Sequence, residues 1–226
     1  ARFLVHDLKN HVGCVLGYVK QLLTRAGRSG WRRVDVQALE TVQRQATRMA
    51  GALRDILELA RLENEPRLQL EATPARELLR RSVGEAALCP GEGPVRIDDD
   101  GAEDLAIMCD PRLLERVLVN LVLNAFKHNG SDVDVSVGVS RHDHEARFSC
   151  RDTGKGIPAA IRERLFEEFA SDARRDDQAP SYGLGLSFCK AAIEAHGGRI
   201  WFESIEGEGT IFFFSLPIHK DRGEEV

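Results

Sequence analysis

The sequence lacks an excess of positive charge, a long apolar run and any paired-cysteine motif. Lys and Arg number 31 against 36 Asp and Glu, for a formal net charge of −5. This balance argues against a general nucleic-acid binder, whose surface would be basic. No apolar run reaches the roughly 18 residues of a membrane span, and no signal peptide is visible. We therefore expect no nucleic acid among the partners and no membrane contact by this fragment.

Cysteine usage indicates a reducing compartment. The five cysteines are scattered, odd in number and free of any C-x-x-C pair, which fits buried apolar packing in such a compartment better than a disulfide frame or a zinc site. We expect a cytoplasmic protein, and the sequence leaves open whether a parent protein is membrane-anchored. The chain begins directly in a helical pattern, so we interpret it as a piece of something longer. The cysteines are Cys14, Cys89, Cys109, Cys150 and Cys189.

Residues 1–65 have the pattern of a helical hairpin. Apolar residues recur at steps of three and four over Val5–Leu22, and at a near-3.5 period over Leu39–Ala60. The segment Ala26–Gly30 between them is rich in helix breakers. Two helices bury little by themselves, so one apolar stripe on each favours pairing with a second copy into a dimeric four-helix bundle. The alternative is a hairpin packed on its own C-terminal domain.

The remainder alternates between helical and strand patterns. We expect a linker over 66–72, a catalytic domain over 73–219 and a tail over 220–226. Helices are predicted at 75–87, 112–128, from 158 and at 184–195, and strands at 105–109, 133–140, 146–150, 198–202 and 210–216. This mixture predicts an α+β fold, in which helices cover one face of a sheet to form an α/β sandwich.

The predicted helix over 112–128 carries polar side chains that interrupt its apolar surface. Asn120 and Asn124 are four residues apart and therefore share a face. Amide oxygens suit Mg²⁺, which works through bridging phosphates, and Lys127 next to His128 could reach those phosphates as a point charge. The alternative is that both amides bond to neighbouring backbone.

Three glycine clusters follow this helix. Asp152–Gly156 leaves a predicted strand, where glycines such as Gly154 let the backbone approach a flat ligand and a carboxylate can accept from an exocyclic amine. Gly183–Leu186 opens a helix, whose free N–H groups suit an anion. Gly207–Thr210 lies between two strands, where a plain hairpin turn is the alternative.

These motifs, in this order, resemble the catalytic core of a sensor histidine kinase over nearly the whole chain. Residues 120–128 resemble the N box of that family, Arg164–Phe169 its F box, and the three glycine clusters its glycine boxes. The resemblance implies a Bergerat-type site for ATP and Mg²⁺, with Ala170–Tyr182 as a mobile lid. It implies that Asp152 recognises adenine and that Asn120 and Asn124 bind the metal ion. The implied nucleotide-binding residues are Asn120, Asn124, Lys127, His128, Asp152, Gly154, Gly156, Gly183, Leu184, Gly185, Leu186 and Thr210.

The segment His6–Asn10 resembles the phosphoacceptor box of the same family. The resemblance implies that His6 is the phosphoacceptor and that Asp7 is its general base. An imidazole of ordinary pKa is largely neutral, and so nucleophilic, at cellular pH. Asn10 lies one helical turn from His6, where an amide is associated with phosphatase action on the partner. The implied partners are a second copy of the chain and the receiver domain of a response regulator.

Departures from the family pattern leave alternatives. Ser181 stands where the second glycine box usually begins, and His11 replaces a frequent proline. A degenerate kinase acting as an ATP-binding interaction or phosphatase module would fit these changes. Related ATPases of the fold carry a catalytic glutamate where this chain has Asn120. The absence of this glutamate favours phosphoryl transfer to a separate acceptor. It disfavours the alternative of an ATP-driven conformational clamp, which would hydrolyse ATP steadily.

Overall fold

The computed structural model describes residues 14, 15, 17, 18, 21, 22, 42, 56, 58–62, 67–89, 93–98, 105–130, 132–168 and 184–218. All described residues before position 63 are α-helical, as the sequence pattern predicts for them. The turn of the predicted hairpin and most of its two helices lie outside the described residues. Within the described part of the chain, no helix combines the length and the apolar character needed to cross a bilayer.

From residue 67 onward, strands and helices alternate. In chain order, the elements are β1 (Glu71–Pro74), α1 (Ala75–Ala86), β2 (Val95–Asp98), β3 (Ala106–Cys109), α2 (Pro111–Asn129), β4 (Val135–His142), β5 (Glu145–Asp152), α3 (Ala159–Arg162), α4 (Gly185–Ala195), β6 (Arg199–Ile205) and β7 (Gly209–Pro217).

The main sheet has five strands in the order β2-β4-β5-β7-β6. β2 runs parallel to β4, and the other neighbours are antiparallel. β1 and β3 form a separate antiparallel pair. The register sets Asp152, the last residue of β5, opposite Val135 on one side and Thr210 on the other. The first and third glycine clusters therefore meet at one end of the sheet.

One face of the sheet carries the core. Inward-facing residues alternate along the central strands, as a half-buried sheet requires, and Phe148 stacks on Phe214 with ring centroids 4.5 Å apart. Helices α1, α2 and α4 pack their apolar residues onto this face and belong to the same core cluster. The opposite face is more exposed, with Trp201 stacked on Phe213 at 5.5 Å. This confirms the predicted α/β sandwich.

The start of α2 follows the sequence prediction. Asp110 is the N-cap and accepts a hydrogen bond from the backbone N of Leu113 at 3.4 Å, and Pro111 occupies the first turn. The second carboxylate oxygen of Asp110 accepts from the backbone N of Gln69 at 3.1 Å. The cap therefore also ties the segment before β1 to the helix that carries the candidate site.

Two of the strands were not predicted from the sequence. β1 begins inside the predicted linker, and β2 lies between the predicted helix over 75–87 and the predicted strand over 105–109, where no element was predicted. Each is four residues long and mixes polar with apolar residues, unlike the equally short β3, whose apolar run Leu105–Cys109 predicted a strand. Their strand character depends on hydrogen bonds to β3 and β4, which are distant in sequence.

Candidate functional site

Asp152 is the centre of the candidate site. It is 7% exposed, and its Oδ1 accepts hydrogen bonds from the backbone N of Gly154 at 2.9 Å and from Nδ2 of Asn129 at 3.3 Å. Burial raises the pKa of this carboxyl, while the hydrogen bonds from Gly154, from the Thr210 backbone and from Asn129 lower it. Those donors favour the charged form. The result is a desolvated hydrogen-bond acceptor at the end of a strand.

The first and third glycine clusters pack against each other around this carboxylate. Gly156 and Gly209 have φ of 71° and 117°, a region that other residues rarely adopt. A Cβ added at Gly209 would lie 2.1 Å from the carbonyl oxygen of Asp152. The backbone N of Gly207 donates to the carbonyl of Lys155 at 2.8 Å. The turn before β7 therefore lines the candidate site in addition to connecting β6 to β7.

The polar residues of α2 face two environments. Asn120 and Asn124 are half-buried, whereas Lys127 and His128 are exposed. Burial raises the pKa of the Cys189 thiol on α4 to about 12, and a hydrogen bond from the Asn120 side chain opposes that shift. Asn120 therefore contacts α4, and Asn124 lies one turn further along the same side of α2.

The second glycine cluster opens α4. Leu184 is 2% exposed and anchors the helix start, where no side chain of the described residues caps the backbone N–H groups. A Cβ at Gly185 would meet no atom within 4 Å. Leu186 is half-buried, and Ser187 Oγ donates to the Leu184 carbonyl at 3.0 Å. Gly183 lies outside the described residues. The exposed N–H groups of such a helix start suit phosphate oxygens.

Several predicted residues fall outside the described part of the chain. These are His6, Asp7 and Asn10 of the phosphoacceptor segment, together with the predicted lid at Ala170–Tyr182. The geometry of the phosphoacceptor and of the lid therefore stays a prediction.

Two polar residues of the site were missed from the sequence. Asn129 ends α2 and hydrogen-bonds both Asp152 and the backbone of Lys155. Ser204 accepts from the backbone N of Ile157 at 2.8 Å and lies 3.0 Å from the carbonyl O of Gly209. A polar residue just before the glycine that ends a helix was the available signal for Asn129. Ser204 lies within an ordinary strand pattern and gave none.

The helical residues before the linker contact the same domain. Arg116 of α2 pairs with Glu58, and its guanidinium lies 4.0 Å from the ring centroid of Phe188 on α4. Leu59 and Leu62 are buried and line a cleft of about 280 Å³ beside α4. This cleft includes none of the predicted nucleotide-binding residues, so we do not assign it to the nucleotide.

Comparison with known proteins assigns the class. Residues 109–220 match the family described as "Histidine kinase-, DNA gyrase B-, and HSP90-like ATPase". The matched segment runs from the end of β3 through β7 and contains α2, Asp152 and all three glycine clusters. The fold and the candidate site thus define an ATPase domain of this class.

Curated relatives indicate which kind of protein within this class the chain is similar to. The chain is 32% identical over 222 residues to the adaptive-response sensory kinase SasA of Synechococcus sp. (strain JA-3-3Ab), which covers 96% of the chain and 58% of that relative. The chain therefore spans little more than half the length of this curated relative. By sequence, the chain contains a catalytic ATP-binding core of the sensor histidine kinase type.

Solved structures share the fold. The histidine kinase AdeS of Acinetobacter baumannii has a TM-score of 0.73 at 18% identity, covering 95% of this chain and 98% of that one. The histidine kinase ThkA, in a complex with the response regulator protein TrrA, also has a TM-score of 0.73, at 20% identity, covering 96% and 60%. At such identities the similarity shows the fold alone.

Proposed function

We propose that this chain is the core of a two-component sensor histidine kinase that uses ATP to phosphorylate His6 and passes the phosphoryl group to an aspartate of a response regulator. In this proposal, residues 1–65 form the dimerisation and phosphoacceptor hairpin, 66–72 the linker, 73–219 the catalytic domain and 220–226 a tail. The core is cytoplasmic, in keeping with its unpaired cysteines.

The buried carboxylate of Asp152 carries the proposal. An ionised carboxylate offers about four acceptor positions, and the exocyclic amine of adenine is a matching donor. Water is largely excluded from a residue that is 7% exposed, so a hydrogen bond to Asp152 discriminates strongly between ligands. Gly154 and Thr210 would flank the base, because their backbone runs close to Asp152, and Gly156 would follow in the same turn, packed against Ile205.

The remaining predicted residues suit the phosphates. The uncapped start of α4, at Leu184–Leu186, offers N–H groups and the positive end of a helix dipole. Asn120 and Asn124 are the residues that would hold Mg²⁺, which prefers oxygen ligands and shares them with nucleotide phosphates. Lys127 and His128, exposed at the end of α2, would contact phosphate and ribose. The Mg²⁺ would neutralise charge on the phosphates when bound.

The chemical step is a phosphoryl transfer to nitrogen. A neutral imidazole nitrogen of His6 attacks the γ-phosphorus, the bond to the β-phosphate oxygen breaks, and ADP leaves. Asp7 takes the ring proton, which leaves a phosphoramidate. The phosphoryl group then passes to a carboxylate of the regulator. Asn10 would orient water for hydrolysis of the regulator phosphate, which would add a phosphatase activity.

The proposed partners follow from pattern and similarity. The near-3.5 apolar period over Leu39–Ala60 favours a homodimer through a four-helix bundle. The similar kinase ThkA was solved with a response regulator, which supports a receiver domain as the second partner. A degenerate kinase that only binds ATP or acts as a phosphatase is the alternative, because of Ser181 and His11.

Incubation with γ-labelled ATP and Mg²⁺ tests the proposal. We expect acid-labile, base-stable label on the wild type and none on His6→Gln. His11→Gln is the matched control, since it removes a neighbouring histidine and should retain the label. Wild-type protein that binds ATP but never gains the label would reject the kinase and favour the degenerate module. Label that persists in His6→Gln would reject this acceptor.

A further inference from the structure

Asn129 joins three parts of the candidate site through one side-chain amide. Its Nδ2 donates to the carbonyl O of Ala125 at 2.9 Å and to Oδ1 of Asp152 at 3.3 Å, and its Oδ1 accepts from the backbone N of Lys155 at 2.9 Å. Both N–H groups and the oxygen are therefore engaged. Because the backbone N of Lys155 can only donate, the amide has one orientation, and its N–H groups point toward Asp152 and Ala125.

The first glycine cluster is shaped around this amide. A Cβ added at Gly154 would lie 2.0 Å from Cγ of Asn129 and 2.1 Å from its Oδ1. The glycine is thus required by the close approach of the Asn129 side chain. Asn129 and the turn that follows Asp152 form one packed unit, although 23 residues separate the two side chains in sequence.

The network limits how Asp152 can interact. Its carboxylate receives the backbone N–H groups of Gly154 and Thr210 and the amide of Asn129. Three of about four acceptor positions are therefore filled by protein. The hydrogen bond from Asn129 also opposes the rise in pKa that burial causes, and so favours the ionised form. One acceptor position of fixed direction remains for a ligand donor.

We propose that Asn129 is the positioning residue that fixes the Asp152 carboxylate toward the base and so sets the preference of this site for ATP over GTP. The inference rests on the proposed function, because it assumes a nucleotide at Asp152. Adenine presents an amine where guanine presents a carbonyl oxygen. An oriented, ionised carboxylate pairs with the amine and repels the carbonyl. A carboxylate released by loss of Asn129 can turn away or gain a proton, which weakens both effects.

Two variants separate positioning from folding. Asn129→Ala removes all three hydrogen bonds, whereas Asn129→Asp retains the shape and the acceptor for Lys155 but cannot donate to Asp152. His142→Ala is the control, since His142 is exposed at the opposite end of the β4–β5 hairpin. Thermal unfolding of each variant checks that it is folded under the binding conditions.

Calorimetric titration with ATP and with GTP, each with Mg²⁺, supplies the test. A hydrogen bond to a charged group corresponds to about tenfold in affinity. We expect ATP affinity to fall by about tenfold in both variants while GTP affinity stays the same or rises, so that the ATP/GTP ratio falls by at least about tenfold.

The possible outcomes distinguish a failure of this inference from a failure of the proposed function. An unchanged ATP/GTP ratio in folded variants, whether or not both affinities fall, overturns the positioning assignment and leaves ATP binding intact. Wild-type protein that binds neither nucleotide overturns both. A ratio that falls in the Asn129 variants and stays constant in His142→Ala supports the assignment.

Discussion

The backbone N of Asp110 donates a hydrogen bond to Nε2 of His196 over 3.0 Å. Nδ1 of the same ring lies 2.7 Å from the carbonyl O of Ala192, so the ring carries its proton on Nδ1 and is neutral. Burial lowers the pKa of His196, against smaller opposing effects of Ala192 and Asp110. This neutral imidazole joins the end of α4 to the start of α2.

Stability should therefore fall as the pH is lowered through the ordinary range of histidine. Since burial holds the pKa of folded His196 below the ordinary histidine value of about 6.5, the unfolded chain binds the proton first and stability is lost below that pH. We expect the free energy of unfolding, measured by urea titration from pH 8 to pH 5, to fall less steeply in His196→Gln. His142→Gln, which changes an exposed turn histidine, should keep the wild-type slope. An identical slope in His196→Gln would contradict the assignment.

Gly154→Ala should damage the site more than the fold. The new Cβ would lie 2.0 Å from Cγ of Asn129, so that side chain must leave Asp152. We expect a loss of about 1–3 kcal/mol of stability, as for other overpacked positions, and a fall in ATP affinity of at least about tenfold. Thermal unfolding and nucleotide titration measure the two effects. Wild-type ATP affinity in the variant would show that Asn129 is not displaced.

Gly84→Ala is the matched control, and we expect it to stabilise the protein. Gly84 lies exposed in α1, and an added Cβ would meet no atom within 4 Å. Alanine is better than glycine in a helix by up to about 1 kcal/mol. The midpoint of thermal unfolding should rise with no change in nucleotide affinity. A lower midpoint would mean that α1 is not helical at this position in solution.

The pair formed by Glu58 and Arg116 should couple the helical segment to the catalytic domain. Their side chains are 32% and 24% exposed, and Arg116 also lies over Phe188. A double-mutant cycle with Glu58→Gln and Arg116→Met should give a coupling energy of about 0.5–1.5 kcal/mol in urea unfolding. The half-exposed pair Lys190–Glu194, 3.9 Å apart, is the control and should give about 0–0.5 kcal/mol. Equal couplings in the two cycles would argue against docking of this segment.

The two phenylalanine stacks should contribute different amounts to the free energy of unfolding. Phe148 is fully buried on the core face against Phe214, whereas Phe213 stacks with Trp201 on the more exposed face. Phe148→Ala should cost about 3–5 kcal/mol, since it leaves a cavity, and Phe213→Ala clearly less. Chemical denaturation of both variants compares the losses. Similar losses would mean that the outer face is also covered in solution.

Much of the catalytic domain could be predicted from local pattern. The Asp110–Pro111 start of α2 and the alternation of the β4–β5 hairpin depend on neighbouring residues, and the structure has both. β1 and β2 were missed because the hydrogen bonds that define them reach strands distant in sequence, whereas the equally short β3 was marked by the apolar run Leu105–Cys109. Asn129 was missed for the same reason, because its contacts with Asp152 and Lys155 cross from the end of a helix to the turn after a strand.

By itself, the sequence determined the class of the protein, the order of its motifs and the glycine positions, because helix caps, apolar period and turn chemistry are local properties of a chain. The tertiary structure decided which glycines meet which side chains. Position 154 has no room for a Cβ because the Asn129 side chain lies there. Position 209 has none because it packs against the backbone of Asp152. The physical reason is that a buried carboxylate needs donors from several elements, and only folding brings those elements within hydrogen-bond distance.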